Sequence, residues 1–359
     1  MLAPHVIASF DDIDDVPASF KRDHLSYWNV TLEDWILKVA TQSRNELSDN
    51  PSKSLRDAAN EQSLGSLQLP IEIFQMIFLH IDLQSQRFLK ATNSPMRTLI
   101  SSLSEHQALM RHVPGFLDLL QRTHLVPYFP ITQLYNVLMR GTCTICGQFA
   151  SFVFLPAMQR CCGRCLCFDI EFMPVNVKTA VKEYGVPLAN LPLLPKLSSI
   201  PGKYLDGGGR VKSYKGKRTL VGRQEARSLG TMKPKERWDD AIAKRTLQRN
   251  MCSAPMPVLD PKTNLADRGR QCLGCLQASR EHDEPDPCES CSFSLPNGLD
   301  VARGDDPERF TGTFTFSACI YEVRAERLHS RDGIIDHLDK CPEAQEYLQV
   351  KKDRLKALV

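Results

Sequence analysis

The stretch Leu69-Pro70-Ile71-Glu72-Ile73-Phe74-Gln75-Met76-Ile77-Phe78-Leu79-His80-Ile81-Asp82-Leu83 decides how the N-terminal half of the chain is interpreted. Proline directly after Leu69 is typical of the first turn of a helix, where its missing N–H costs no hydrogen bond. Isoleucine recurs at every fourth position with phenylalanine beside it, which predicts a helix with a wide apolar face. The residues of that face are Ile73, Phe74, Ile77, Phe78 and Ile81.

A second amphipathic segment follows and carries Phe88, Leu89, Leu99, Ile100 and Leu103. Together the two segments span about forty residues, which is too few to bury a stable core alone. Their apolar faces must therefore pack on a later part of the chain, on another protein, or on both.

These segments contain a set of short motifs: Leu69-Pro70, Glu72-Ile73, Ile77, Ile81-Asp82-Leu83, Leu89 and Arg97-Thr98-Leu99-Ile100. The set resembles the F-box, a three-helix unit that binds the Skp-type adaptor of SCF ubiquitin ligases. The chain departs from the family at Pro95, where a polar helical residue is usual, and it lacks a late tryptophan. The resemblance implies an F-box over residues 67–105. The adaptor-binding residues that it implies are Leu69, Pro70, Ile73, Ile77, Ile81 and Leu83.

Length and composition fit a protein of two or three globular domains, with 359 residues, 42% hydrophobic and 24% charged. A net charge of +3 gives no overall attraction to nucleic acid or membrane. The sequence shows no signal peptide and no apolar run long enough to span a membrane, so we expect a cytoplasmic or nuclear protein. Thirteen cysteines in such a reducing compartment favour metal ligation over disulfides.

We predict a mainly α protein with small zinc-stabilised α+β modules and disordered termini and linkers. The predicted organisation has six parts. The first three are a largely disordered arm (1–66) with a possible helix at 31–42, an F-box (67–105), and a helical region (106–200) that contains the first zinc module (143–165). The last three are a basic linker (201–265), a second zinc module (266–348) with an acidic insertion at 281–308, and a tail (349–359). Further predicted elements are a helix opened by a capping box at 104–107, a helix at 131–139, a strand near 152–155, a helix within 174–184, a strand at 314–323 and a closing helix at 333–348.

The first predicted metal site joins two Cys-x-x-Cys pairs, Cys143 with Cys146 and Cys162 with Cys165, separated by fifteen residues. Each pair in a tight turn can place two sulfurs on one tetrahedral ion, and two pairs complete a closed structural zinc site. Two neighbouring thiols, Cys161 and Cys167, could replace a ligand, and Cys161 in place of Cys162 is the more plausible exchange.

The second predicted site begins with Cys272 and Cys275 and has two completions. Cys288-Glu289-Ser290-Cys291 would give an ordinary four-cysteine spacing. His337 and Cys341, four positions apart, would face one side of a helix and complete a Cys3His site. The sequence favours the second completion, because Ile334, Ile335 and Leu338 can anchor that helix, whereas an acidic, proline-rich segment surrounds Cys288. The two sites together predict two structural zinc ions.

The resemblance extends to a group of fungal F-box proteins and covers about residues 67–348. Its further motifs are Leu134-Tyr135, the cysteine pairs, Pro201-Gly202-Lys203-Tyr204, Ala226-Arg227-Ser228-Leu229-Gly230, and His337 through Cys341 followed by Pro342-Glu343-Ala344-Gln345. No phosphate-binding loop, nucleophile elbow or catalytic zinc pattern occurs, so we expect no enzyme.

The sequence thus predicts a non-catalytic, substrate-recruiting F-box subunit of an SCF-type, cullin-based ubiquitin ligase, with an unknown protein target. The alternative is a zinc-dependent nucleic-acid-binding or regulatory protein that uses residues 202–250. That range holds fourteen Lys and Arg against five Asp and Glu. It has few aromatic residues for base stacking, which makes nucleic acid the less favoured partner.

Overall fold

A computed structural model describes residues 26–27, 69–205, 211–232, 248–281 and 327–356. This part of the chain is mainly helical and contains small sheets of two or three strands, in agreement with the predicted fold class at that level. None of the helices in these ranges is both long and apolar enough to cross a membrane.

The helices are α1 (Ile71–His80), α2 (Leu83–Thr92), α3 (Ser94–Ser102), α4 (Ser104–His112), α5 (Pro114–Arg122), α6 (Ile131–Met139), α7 (Gly163–Phe168), α8 (Val177–Glu183), α9 (Arg223–Leu229), α10 (Leu273–Glu281), α11 (Gly333–Lys340) and α12 (Pro342–Lys356). Short 3-10 turns lie at Val126–Tyr128, Ile170–Phe172 and Leu188–Leu193. The strands are β1 (Ser26–Tyr27), β2 (Phe152–Phe154), β3 (Gln159–Cys161), β4 (Pro174–Asn176), β5 (Leu197–Ser198), β6 (Gly202–Leu205), β7 (Val211–Tyr214), β8 (Thr219–Gly222), β9 (Ser253–Pro255), β10 (Val258–Asp260), β11 (Leu265–Asp267) and β12 (Gln271–Cys272).

Helices α1 to α3 form a compact unit with a small core of its own. The Asp82 carboxylate accepts hydrogen bonds from the N–H groups of Gln84 and Ser85 and caps α2. Asn93 caps α3 in the same way, and Pro95 lies in the first turn, where proline is tolerated. The proline that departs from the F-box pattern is therefore compatible with the third helix. The core of the unit consists of Phe74, Phe78, Leu99, Ile100 and Leu103.

The three-helix unit is fixed to the helical body formed by α4, α5 and α6. The carbonyl of Ile81 accepts a hydrogen bond from the N–H of Ile131 at the start of α6. Gln86 is buried, and its side chain donates to the Phe78 carbonyl at 2.8 Å, which ties α2 to α1. Leu83 is buried in the core of the body. Helix α4 begins as predicted, but the capping box does not form, because the Ser104 hydroxyl donates to Glu105 and Gln107 to the Ser101 carbonyl.

The main core lies between these helices and a three-stranded sheet of order β3-β2-β9. Strand β2 confirms the strand predicted near residues 152–155, and helix α6 coincides with the helix predicted at 131–139. Strand β2 is buried along its whole length because a strand pairs with it on each side and helices cover it.

Part of the range expected to be a basic linker is folded. Strand β8 pairs with β4 and β5 in a second three-stranded sheet, and α8 and α9 cover it. Strands β6 and β7 form a separate two-stranded ribbon, and β9 and β10 also come from this range. The excess of lysine and arginine suggests a linker. The strands within it give no clear sequence signal, because each is only two to four residues long and has few apolar positions.

The C-terminal module packs α10, α11 and α12 around a small core that includes Cys272, Cys275 and Cys341. The predicted closing helix is two helices, because Cys341 is extended and Pro342 begins α12. Strand β1, from the N-terminal arm, pairs with β12, so that Ser26 lies opposite Cys272. The predicted helix at 31–42, the acidic insertion and the strand at 314–323 lie outside the described residues.

Candidate metal centres and an exposed apolar helix face

The first candidate metal centre brings together the four cysteines expected from the sequence: Cys143, Cys146, Cys162 and Cys165. Their sulfurs all lie within 4.8 Å of one another, and those of Cys146 and Cys162 are 3.6 Å apart. Two sulfurs bound to one tetrahedral zinc ion would be about 3.8 Å apart, since each Zn–S bond is about 2.3 Å. The spacing therefore suits a shared ion and is too long for a disulfide.

Backbone turns hold each cysteine pair of this centre. The N–H of Gly147 donates to the Cys143 carbonyl, and Gly147 has a φ of 71°, a left-handed conformation that glycine adopts without strain. Cys162 is the N-cap of α7, and its sulfur accepts the N–H of Cys165 at 3.4 Å. An N–H directed at a sulfur stabilises the thiolate form that a metal requires.

The thiols of the first centre affect one another's ionisation. The pKa of Cys143 is held far below its ordinary value because the thiols of Cys162 and Cys165 donate to its sulfur. The pKa of Cys146 falls to about 7, mainly through a hydrogen bond from Cys162. The pKa of Cys162 is raised because its own thiol donates to Cys143 and Cys146. The cluster therefore favours some thiolate character by itself, and a bound cation would favour the remaining thiolates.

The alternative ligands at this centre have different positions. Cys161 is buried in β3 opposite Phe152 and is not in the four-residue group. The exchange of Cys161 for Cys162 that the sequence left open is therefore not what the structure shows. Cys167 lies in α7, and its side chain is not among the described ones.

The second candidate centre consists of Cys272, Cys275, His337 and Cys341, whose ligand atoms also lie within 4.8 Å of one another. The sulfur of Cys275 is 3.5 Å from both the His337 Nε2 atom and the Cys341 sulfur. On a tetrahedral zinc ion these two separations would be about 3.6 and 3.8 Å. His337 and Cys341 thus complete the group among the described residues. Cys288 and Cys291 lie outside them, and the four-cysteine completion stays a prediction.

Buried apolar residues hold the second centre. Ile334 and Leu338, on the same face of α11, are completely buried, as the sequence predicted, and they fix the direction of His337. Gly274 is needed between Cys272 and Cys275, because a Cβ atom there would lie 2.3 Å from the Glu343 carbonyl oxygen of α12.

The rings of His329 and His337 stack with centroids 4.3 Å apart. Burial lowers the pKa of His329 to about 3, so this ring is neutral beside the ligand.

The donor sets of both centres suit a soft or borderline cation. Four thiols at one centre, and three thiols with an imidazole at the other, are typical of structural zinc and rare for magnesium or calcium. Neither group leaves an obvious open position, because each already supplies four ligands. Both clusters can therefore hold a metal ion.

Arg160 is a residue that sequence reasoning missed, and it supports the first centre. Its buried guanidinium donates to the carbonyls of Val137 (2.7 Å), Ala150 (3.1 Å), Leu138, Met256 and Pro257. Burial lowers the pKa of this guanidinium to about 9. It joins β3 to the end of α6 and to the segment after β9. No pattern in the sequence distinguishes this arginine from those on the surface.

The apolar residues of α1 divide into two faces. Phe74 and Phe78 point inward and are 3% and 2% exposed, with ring centroids 6.0 Å apart. On the opposite side lies an exposed apolar face, which we define as Leu69, Ile73, Met76 and Ile77, with exposed fractions of 42%, 37%, 55% and 45%. Phe88 of α2 is 66% exposed on the same three-helix unit.

The six residues expected to bind an adaptor thus have different positions. Leu69, Pro70, Ile73 and Ile77 are exposed, Ile81 is half-buried, and Leu83 is buried in the body. The expectation for Leu83 is corrected, because a buried side chain offers no surface to a partner. Met76 and Phe88 are exposed apolar residues that were not expected in this role, although the apolar pattern included Phe88.

Comparison with models of protein families, with curated proteins and with solved structures found no significant match to this chain.

Proposed function

We propose that the chain is a non-catalytic, substrate-recruiting F-box subunit of an SCF-type ubiquitin ligase. Residues of about 67–105 bind a Skp-type adaptor, and the rest of the chain holds a target protein. The observation that carries the proposal is the exposed apolar face of α1 on a three-helix unit that is fixed to the body. The motifs in this unit resemble the F-box, and this resemblance indicates a Skp-type adaptor as the partner.

An exposed apolar helix face is a surface that a second protein would cover. Isolated exposed apolar residues are ordinary, but Ile73, Met76 and Ile77 lie together on one side of α1, and Leu69 lies two residues before this helix begins. Such a face fits an apolar groove in a partner, with anchors at helical spacing. The inner face of α1 already fills the core of the unit, so the outer face is available without unfolding.

The mechanism of this proposal is tethering. A target held by the body would be brought to a high local concentration near the catalytic subunits of a cullin-based ligase. The chain itself needs no active site. The hydrogen bond from Ile131 to Ile81 and the burial of Leu83 support the proposal, because they hold the adaptor-binding unit at a fixed angle to the body.

The proposal includes one structural zinc ion in each candidate centre and a cytoplasmic or nuclear location. Zinc is favoured over other ions by the donor sets, and each ion would take the place of apolar core in a small segment. Metal binding would stabilise the module around Cys272 most, because its core contains only seven buried residues, of which three are ligands.

The test is capture of a purified Skp-type adaptor–cullin complex by the full chain. Ile77→Asp should weaken capture at least about 30-fold, because it places a charge at the centre of an apolar interface. Leu188→Asp is the matched control, since Leu188 is 74% exposed at a distant 3-10 turn. Thermal unfolding of both variants checks that the fold survives. Unchanged capture by Ile77→Asp, or no capture by the unaltered chain, would refute the proposal.

A further inference from the structure

The ribbon formed by β6 and β7 lies in a stretch of sequence that is rich in basic residues. Residues 196–218 contain seven lysines and arginines and one acidic residue, Asp206. Lys203, Lys215 and Lys217 are exposed. Within the described ranges, no ion pair with an acidic side chain engages these three ammonium groups. We call the surface of β6, β7 and residues 215–218 the basic ribbon.

The inner face of the basic ribbon is anchored. Tyr204 and Tyr214 pack against the main core, and the Tyr204 hydroxyl donates to the Ile200 carbonyl. The Arg218 guanidinium lies 4.5 Å above the Tyr214 ring, and its backbone N–H donates to the Ser199 hydroxyl at 2.9 Å. These contacts fix the ribbon on the body by its tyrosine face, and Lys203, Lys215 and Lys217 are left exposed.

The outer face and the edges of the basic ribbon are open in the described part of the chain. Lys203 lies directly opposite Ser213 on the face away from the tyrosines, and both are exposed. The two strands form a sheet with no third strand among the described residues. An unpaired strand edge carries backbone donors and acceptors that an extended peptide can satisfy.

We infer that the basic ribbon binds an extended acidic segment of a partner protein, which adds as a strand to the ribbon and sets its carboxylates against the lysines. In an extended segment, alternate side chains lie on one face about 7 Å apart, which suits dispersed ammonium groups. Carboxylate is favoured over phosphate because the accessible cations are lysines, whereas Arg218, which could form a two-pronged phosphate contact, is stacked on Tyr214. That this partner is the recruited target rests on the proposed function; the binding itself does not.

The experiment measures fluorescence anisotropy of a labelled peptide of alternating Glu and Thr with the full chain, in the absence of any ligase component. The variant Lys203→Glu, Lys215→Glu, Lys217→Glu should weaken binding about tenfold or more at physiological ionic strength, where the Debye length is about 8 Å and remote charges are screened. The matched control is Lys178→Glu, Lys182→Glu, Lys262→Glu, which changes the net charge equally at three other exposed lysines. It should change the affinity less than about twofold. Equal losses in both variants would overturn the inference.

Four further probes fix the chemistry of the partner. A Gln-Thr peptide should not bind, and a Glu-Thr peptide methylated on alternate backbone nitrogens should bind about tenfold more weakly, because it cannot pair along a strand edge. Full binding of either peptide would refute strand addition by an acidic segment. Tighter binding of a phosphoserine peptide or of single-stranded RNA would replace the acidic peptide with a phosphate ligand. Because the adaptor is absent, failure here is distinct from failure of the proposed function.

Discussion

At the scale of single residues, Arg160 links several segments of the body through its buried guanidinium. A buried guanidinium is stable only when its donors are matched, and here backbone carbonyls from three segments accept them. The same contacts bring the end of α6 next to the strand that leads into Cys162. The geometry of the first centre therefore depends on a residue that is not a ligand.

Arg160→Lys should lower the free energy of unfolding by about 3 kcal/mol or more, because one ammonium cannot reach carbonyls on all sides of the guanidinium plane. Urea denaturation measures the change. Arg227→Lys, at an exposed position of α9, is the control and should change the stability by less than about 0.5 kcal/mol. A loss at position 160 no larger than at position 227 would show that the carbonyls find other partners.

At the scale of elements, α1 has two apolar faces, one buried and one exposed. The phenylalanines stabilise the three-helix unit against α3, and the outer residues are exposed, where the proposed function assigns them to the adaptor. A helix with apolar residues on nearly every side is normally buried on every side. Helix α1 is buried on one side only, so its composition alone does not show which side faces solvent.

The two faces predict opposite effects of truncation. Phe74→Ala should cost about 3–5 kcal/mol of stability, because it leaves a cavity, and should leave adaptor capture by the folded fraction unchanged. Ile73→Ala should change stability by less than about 0.5 kcal/mol and should weaken capture several-fold. Thermal unfolding and the capture assay together separate the effects. If Ile73→Ala destabilised the chain as much as Phe74→Ala, the outer face would be part of the core.

Much at the element scale could be predicted from sequence, because the signals are local. The Leu69-Pro70 start, the spacing of the isoleucines and the Cys-x-x-Cys pairs each predict a structure within a few residues of themselves. The side of α1 that faces outward could not be predicted, since this depends on where α3 packs. The short strands of the supposed linker were missed for a related reason: β8 and β9 are recognisable only once β4 and β2 lie beside them.

At the scale of the whole molecule, the two metal centres stand in different surroundings. The first lies within the main core, together with residues of β2 and α7. The second joins Cys275 to His337 across 62 positions and has a small core of its own. Loss of metal should therefore loosen the body at the first centre and unfold the C-terminal module at the second.

Elemental analysis of the purified chain should give two zinc ions. His337→Ala should reduce the content to about one and should expose α10 to α12 to hydrogen exchange, since structural zinc contributes on the order of 10 kcal/mol to a small module. His80→Ala, at an exposed position of α1, is the control and should retain both ions. Retention of both ions by His337→Ala, with loss of one in Cys288→Ser, would assign the second site to the four-cysteine alternative.

The pairing of β2 with β9 has a practical consequence for anyone who wishes to excise part of this polypeptide. Arg160 and Met256 are joined although they lie 96 positions apart. A recombinant piece that ended shortly after the first cysteine cluster would keep all four sulfurs. It would, however, expose one edge of the fully apolar strand β2, and it would leave the buried guanidinium of Arg160 without some of its hydrogen-bond acceptors. Such a piece would aggregate, whereas one that continues through β11 would include β9, which covers the edge of β2.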